Sequence, residues 1–363
     1  MSATCERGDP HAPEHYPCLD GLRGLAALMV AFGHAGYFGW VRLVVGAATC
    51  GVILFFFLSG FMMAHHYLTD VPSGARRGGM LRYWGTFLAR RFVRVYPPFL
   101  FAPVFGYLLL QPRLPPDFQR RLPIEGLTAF QELARIATLG GDLGIYWTIR
   151  VELFFYLIFP LIACLCIFAR NRTKTLFLVC VVLMVLNRCP AGLEMVSWKI
   201  SLPVQWPGYL SMFVAGAVTA AFAHDGRHGW MKRRLPWNTM ASLGFAAFLI
   251  VVTLFSRLRP TQAFLWQYEW LFAGLFSVMF IGLIRSDGVL NRLLSSPMAV
   301  ALGRTSYSLY LIHVISFCFV TSHLTPALHG MPAALVVLCL MCPGYYFLCE
   351  RPFLRWSRNI ACH

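Results

Sequence analysis

Apolar runs of about twenty residues, the length at which a helix spans a bilayer, recur from one end of this 363-residue chain to the other. They leave room for few folds. A backbone placed in lipid must satisfy its own N–H and C=O groups, and a helix does so within a single segment. Ten segments approach the requirement, at roughly 20–40, 43–66, 92–111, 145–168, 175–189, 203–223, 237–255, 263–284, 302–322 and 331–349. The expected fold is an all-α polytopic membrane protein with about ten transmembrane helices. With 58% of residues apolar or aromatic, only 13% charged and a mean hydropathy of +0.62, the composition departs from that of soluble globules in the same direction.

The formal charge of +16 does not indicate a nucleic-acid partner, because the basic residues lie in short clusters between apolar runs rather than on one face. The surroundings expected are membrane lipids. Cytoplasmic loops of membrane proteins collect Lys and Arg. With ten spans and both termini in the cytoplasm, twenty basic residues fall on the inner side and nine on the outer. This arrangement gives a cytoplasmic tail over 1–18, one transmembrane domain over 19–350 and a second cytoplasmic tail over 351–363. Residues 1–18 hold Asp9, Glu14 and three prolines and lead into the first run without a small-residue cleavage site, so no removable signal is expected.

Ionisable groups inside a membrane are costly and usually face a bundle interior, so function is sought there first. Arg23 and His34 are eleven residues apart, three helical turns plus about 20° and about 16 Å of rise, which puts them on one face. Arg23 can snorkel and His34 can make an interhelical hydrogen bond; alternatively, an imidazole can take a proton from a hydroxyl at neutral pH and return it. The third run begins RRFVRVYPPF, with Arg91 and Arg94 at i, i+3. They read either as topology signals or as guanidinium forks for phosphate.

Thr148, Glu152 and Tyr156 form a polar stripe at i, i+4, i+8, and Arg150 lies about 200° around the helix from Glu152, so Glu152 is expected to need a partner on another helix. Ser306, Tyr310 and His313 share a second face. Each stripe serves either interhelical bonding or a site. The Phe55–Phe57 run and the tryptophans near span ends read as lipid-facing or interfacial bulk. Most of the twelve cysteines sit within apolar runs as small apolar side chains, and the lone Cys339–Cys342 pair lacks neighbouring histidines, so no metal site is expected.

In order along the chain stand LDGLRGLAALMVAFGH, GVILFFFLSGFMM, RRFVRVYPPF, YWTIRVELFFY, SYSLYLIH and CERPFLR, from about Leu19 to Arg355. Together they resemble the acyltransferase 3 family of integral-membrane O-acyltransferases. The resemblance implies about ten core helices and transfer of an acyl group from cytoplasmic acyl-coenzyme A to a sugar hydroxyl. It makes His34 the candidate catalytic residue. Arg23, Arg91 and Arg94 become candidates for holding the coenzyme phosphates, and Trp147 and Glu152 match the family's tryptophan and glutamate. Glu152 joins His34 as a catalytic candidate, with Trp147, Ser306, Tyr310 and His313 in support. The chain departs from many members at Ile53 and Leu153, where they carry polar or acidic residues. No counterpart of the extracytoplasmic hydrolase-like domain of some members is expected, so the membrane part is expected to act alone or with a separate partner.

The expected function is that of a membrane O-acetyltransferase in a bacterial inner membrane. No permanently bound cofactor is expected; acetyl-CoA or another acyl-CoA is the co-substrate. The acceptor is expected to be an exopolysaccharide or its lipid-linked repeat unit, with lipopolysaccharide or a macrolide as alternatives. A reading from another class is a transporter whose buried Arg23, His34, Glu152 and His313 form a substrate or proton path.

Overall fold

The computed structural model describes residues 15–41, 46–67, 79–110, 137–139, 144–169, 171–188, 206–226, 235–258 and 268–360, and among them every regular element is helical. The long helices are α1 (Pro17–Ala35), α2 (Ala47–Tyr67), α3 (Met80–Leu110), α4 (Trp147–Phe168), α5 (Arg172–Leu186), α6 (Trp206–Gly226), α7 (Trp237–Leu258) and α8 (Glu269–Arg285). Two short helices, α9 (Val289–Leu294) and α10 (Pro297–Arg304), lead into α11 (Ser306–His323). After α12 (Met331–Tyr345), a π turn over Tyr346–Glu350 runs directly into α13 (Arg351–Asn359).

Among the described residues five helical segments are long and apolar enough to cross a membrane: Ala47–His66, Met80–Leu110, Gly144–Cys166, Trp237–Arg257 and Met331–Asn359. The pair α10 and α11, bent by 72°, makes a sixth if counted as one span. Each of the ten apolar runs meets a helix, but several of these helices are short or carry charge: α5 and α12 have 15 residues each, and α1 contains Asp20, Arg23 and His34. The outer surface suits lipid. Leu243, Ile250, Leu254, Leu340 and Leu348 are all more than half exposed, an arrangement that water would penalise.

Without a hydrophobic drive between helices in lipid, close approach depends on small residues. A Cβ on Gly60 would stand 1.8 Å from the Phe213 carbonyl oxygen, and one on Gly216 would stand 2.1 Å from that of Phe57. These reciprocal glycines let α2 and α6 touch backbone to backbone. The LDGLRG glycines do the same for α1: Gly21 and Gly24 lie against Leu294 and Gly303 of α9 and α10. Rings of α2, α4, α6 and α8 fill the core, with Phe155 stacked on Phe213 at 4.0 Å and Phe57 edge-on to Phe280 at 4.8 Å. At one end of the bundle Arg188 pairs with fully buried Glu269 at 2.9 Å, linking the end of α5 to the start of α8.

Helix α3 differs from its reading in the sequence. It begins at Met80, so Arg91 and Arg94 sit well inside a 31-residue helix rather than at its entry. Pro97, Pro98 and Pro103 lie within it. Each removes a backbone donor, and the hydroxyls of Tyr307 and Tyr345 donate to the carbonyls of Val95 and Pro98 in the same stretch. The stretch between the third and fourth apolar runs, 112–144, falls almost wholly outside the described residues. Residues 351–359, read in the sequence as the start of a tail, are helical and pack against α3.

Candidate active site

A cavity of about 770 Å³ opens between α1, α2, α3, α4, α10, α11, the π turn and α13. Seven arginines line it against three carboxylates, Asp20, Glu152 and Glu350. Arg23, Arg91 and Arg94 are half-buried, whereas Arg304, Arg355 and Arg358 are exposed. Arg94 lies within electrostatic range of Arg23, Arg91, Tyr156 and Glu350. Three like charges held this close, partly out of water, repel one another, and the Glu152 and Glu350 carboxylates of the same cavity offset that repulsion in part. The Arg91 guanidinium also stands over the rings of Phe87 and Tyr156, at 5.8 and 5.7 Å, which aims its fork from one side.

The carboxylate of Glu152 accepts a hydrogen bond from Tyr156. This partner lies one turn along its own helix, where another helix was expected to supply it. The chain Arg91, Tyr156, Glu152 therefore crosses from α3 to α4 through an aromatic ring. Glu350 carries a second buried carboxylate, which accepts the Ser308 N–H at 3.0 Å and the Ser308 hydroxyl. Its place on the π turn has a local cause. Pro352 cannot donate to the carbonyl one turn back, and single π turns of this kind recur at functional sites.

At the inner limit of the cavity Tyr310 donates to the Ile145 carbonyl at 2.5 Å and accepts from Thr148 at 2.6 Å. One turn further along α11 stands fully buried His313. Its Nδ1 is 2.7 Å from the Tyr310 carbonyl oxygen, and since a carbonyl only accepts, this nitrogen carries the hydrogen. The neutral ring is then an acceptor at Nε2, which lies 3.2 Å from Nδ1 of His34. His34 Nδ1 is also 2.9 Å from the Val30 carbonyl oxygen. Both neighbours accept, so Nδ1 of neutral His34 carries the hydrogen and its lone pair is held at Nε2. Two residues 279 positions apart thus fix a single tautomer.

The candidates named from the sequence separate into two groups. Arg23, Arg91, Arg94, Glu152, Ser306 and Tyr310 line the cavity. His34 and His313 stand behind it, paired with each other, with the Tyr310 ring 5.9 Å from that of His313. Trp147 is outside the lining and packs on Tyr209 at 4.8 Å and edge-on to Phe56. Sequence reasoning missed Glu350, Tyr307 and the arginines of α10 and α13. Glu350 had a signal, being an acid within a mainly apolar stretch, one of only 15 acids in the chain.

Comparison with known proteins assigns the family. The profile of an acyltransferase domain matches residues 16–349. "O-acetyltransferase OatA" of Staphylococcus aureus is 22% identical over 343 residues, covering 86% of this chain and 52% of that protein. "Protein 2 in picA locus" of Rhizobium radiobacter is 38% identical over 90 residues, 25% of this chain and 43% of that one. The chain spans about half the length of the curated relatives it matches. No solved structure matches it. The acyltransferase profile runs from just before α1 into the π turn, stopping one residue before Glu350, and so takes in every helix that lines the cavity except α13; the chain belongs to the acyltransferase 3 family.

Proposed function

We propose that the protein is a bacterial inner-membrane O-acetyltransferase that moves an acetyl group from acetyl-CoA to a sugar hydroxyl of an exopolysaccharide or its lipid-linked repeat unit. The observation that carries this reading is the arginine-lined cavity that ends at Tyr310, one turn from the paired His313 and His34. Ten spans with both termini in the cytoplasm belong to the same proposal. Under that topology the cavity arginines of α3, α10 and α13 fall on the side where acyl-CoA is made.

Arg23, Arg91 and Arg94 hold the coenzyme phosphates, for which the planar fork is suited. His34 acts at Nε2 as general base: it takes the proton of the acceptor hydroxyl, the oxygen attacks the thioester carbonyl, and the C–S bond breaks. The proton then passes to the coenzyme thiolate, leaving an ester and a free thiol. His313 is a positioning residue, because together with the Val30 carbonyl it holds the hydrogen of His34 on Nδ1. Glu152 adds negative charge beside Arg91 and Tyr156 and tunes the inner part of the cavity.

The test is turnover by the purified full chain in nanodiscs with acetyl-CoA and a panel of oligosaccharides, paired with mass spectrometry of surface glycans from cells with and without the gene. The proposal expects coenzyme thiol release that depends on a sugar and one glycan O-acetyl group that disappears with the gene. Unchanged glycans together with absence of turnover would contradict it.

A further inference from the structure

The arginines of the cavity fall into two classes by depth. Arg23, Arg91 and Arg94 are half-buried, on α1 and α3. Arg304, Arg355 and Arg358 are exposed, on α10 and α13, and line the same cavity. Arg355 and Arg358 are at i, i+3 and so share one helix face. That face is fixed, because α13 packs against α3 and continues from the π turn whose Glu350 is tied to Ser308. Arg351, at the start of the helix, stands over the Phe347 ring at 5.1 Å. A single diphosphate would satisfy the deep class and leave the outer class facing an empty mouth. With seven arginines against three carboxylates, the cavity has an excess of four positive charges. A diphosphate plus a separate phosphomonoester carries about four negative charges.

We propose that Arg304, Arg355 and Arg358 form a second anion subsite at the cavity mouth. It takes a terminal phosphomonoester of a donor whose diphosphate lies on the deeper arginines. This rests on the acyl-coenzyme A reading and sharpens it: the enzyme recognises the 3′-phosphate of the coenzyme and discriminates against thioesters that lack it. The deep arginines orient the arm that carries the acyl group, and the outer ones set which thioesters are admitted. The competing account of the α13 arginines, a topology signal or a contact with lipid headgroups, gives no role to a 3′-phosphate.

The experiment measures binding of acetyl-CoA and 3′-dephospho-acetyl-CoA to the full chain in phosphatidylcholine nanodiscs, for wild type, Arg355→Gln/Arg358→Gln and Arg304→Gln. Charge-assisted contacts to a phosphate predict that wild type binds acetyl-CoA at least about tenfold more tightly than the dephospho form. The double variant should weaken acetyl-CoA binding by a similar factor and leave the dephospho form within about threefold of wild type, with Arg304→Gln giving a smaller change of the same kind. Equal wild-type affinity for the two ligands overturns the subsite and leaves the coenzyme reading standing. Discrimination that survives in both variants, or equal weakening of both ligands, overturns the assignment to these arginines. If wild type binds neither ligand, the coenzyme reading fails, and the subsite with it.

Discussion

Nε2 of His34 holds its lone pair because of what touches Nδ1, and this has a consequence at His313. Replacing His313 by Leu removes the acceptor at 3.2 Å and leaves the Val30 carbonyl at 2.9 Å to hold the Nδ1 hydrogen of His34 by itself, which loosens the ring. His313→Gln restores an acceptor oxygen. Acetyl transfer should fall at least about tenfold in the Leu variant, about 1.4 kcal/mol of transition-state stabilisation, and by less in the Gln variant, with coenzyme affinity unchanged in both. Steady-state turnover beside binding measurements checks this; equal losses in the two variants would remove the positioning role. Glu152 and Glu269 are a contrasting pair. Glu269 is fully buried on Arg188, so its loss should act through stability. Glu152 lies half-buried on the cavity wall, so Glu152→Gln should leave the thermal midpoint in detergent nearly unchanged and still lower transfer at least about tenfold. A midpoint several degrees lower with normal activity per folded molecule would make Glu152 structural.

At the scale of elements the sequence shows the helices better than their ends. Apolar runs locate every long helix because lipid demands length and apolarity together. They do not locate the start of α3, whose first three turns, from Met80 to Arg90, precede the apolar run and carry Arg82 and Arg90. Nor does a run reveal which glycines are contacts, since Gly60 and Gly216 look like any others until α2 and α6 meet. Adding a methyl at Gly216, 2.1 Å from the Phe57 carbonyl, should cost about 1–3 kcal/mol of overpacking. It should lower the detergent melting midpoint by several degrees, whereas Gly274→Ala, with nothing within 4 Å of its Cβ, should not. On α3, Arg91→Lys and Arg94→Lys keep the charge and lose the fork. Each should weaken acetyl-CoA binding, and unchanged affinity in both would assign the pair to topology alone.

For the whole molecule, the stripes at Thr148–Glu152–Tyr156 and Ser306–Tyr310–His313 are legible because a 3.6-residue period converts spacing into a shared face. Their convergence is not legible. Tyr310 reaches Thr148, and His313 reaches His34, only after distant helices pack, and no spacing along one chain encodes contacts across 162 or 279 residues. The same holds for the cavity, whose charge comes from helices α1, α3, α10 and α13. In the proposed function, this assembled cavity delivers an acyl donor to Nε2 of His34. The most direct measurement is single-turnover acetyl transfer by His34→Ala in nanodiscs, alongside its acetyl-CoA affinity. Loss of at least about a hundredfold in transfer, the contribution typical of general acid–base catalysis, with affinity and thermal midpoint near wild type, is the predicted result. Transfer at the wild-type rate by a folded, coenzyme-binding His34→Ala protein would contradict it.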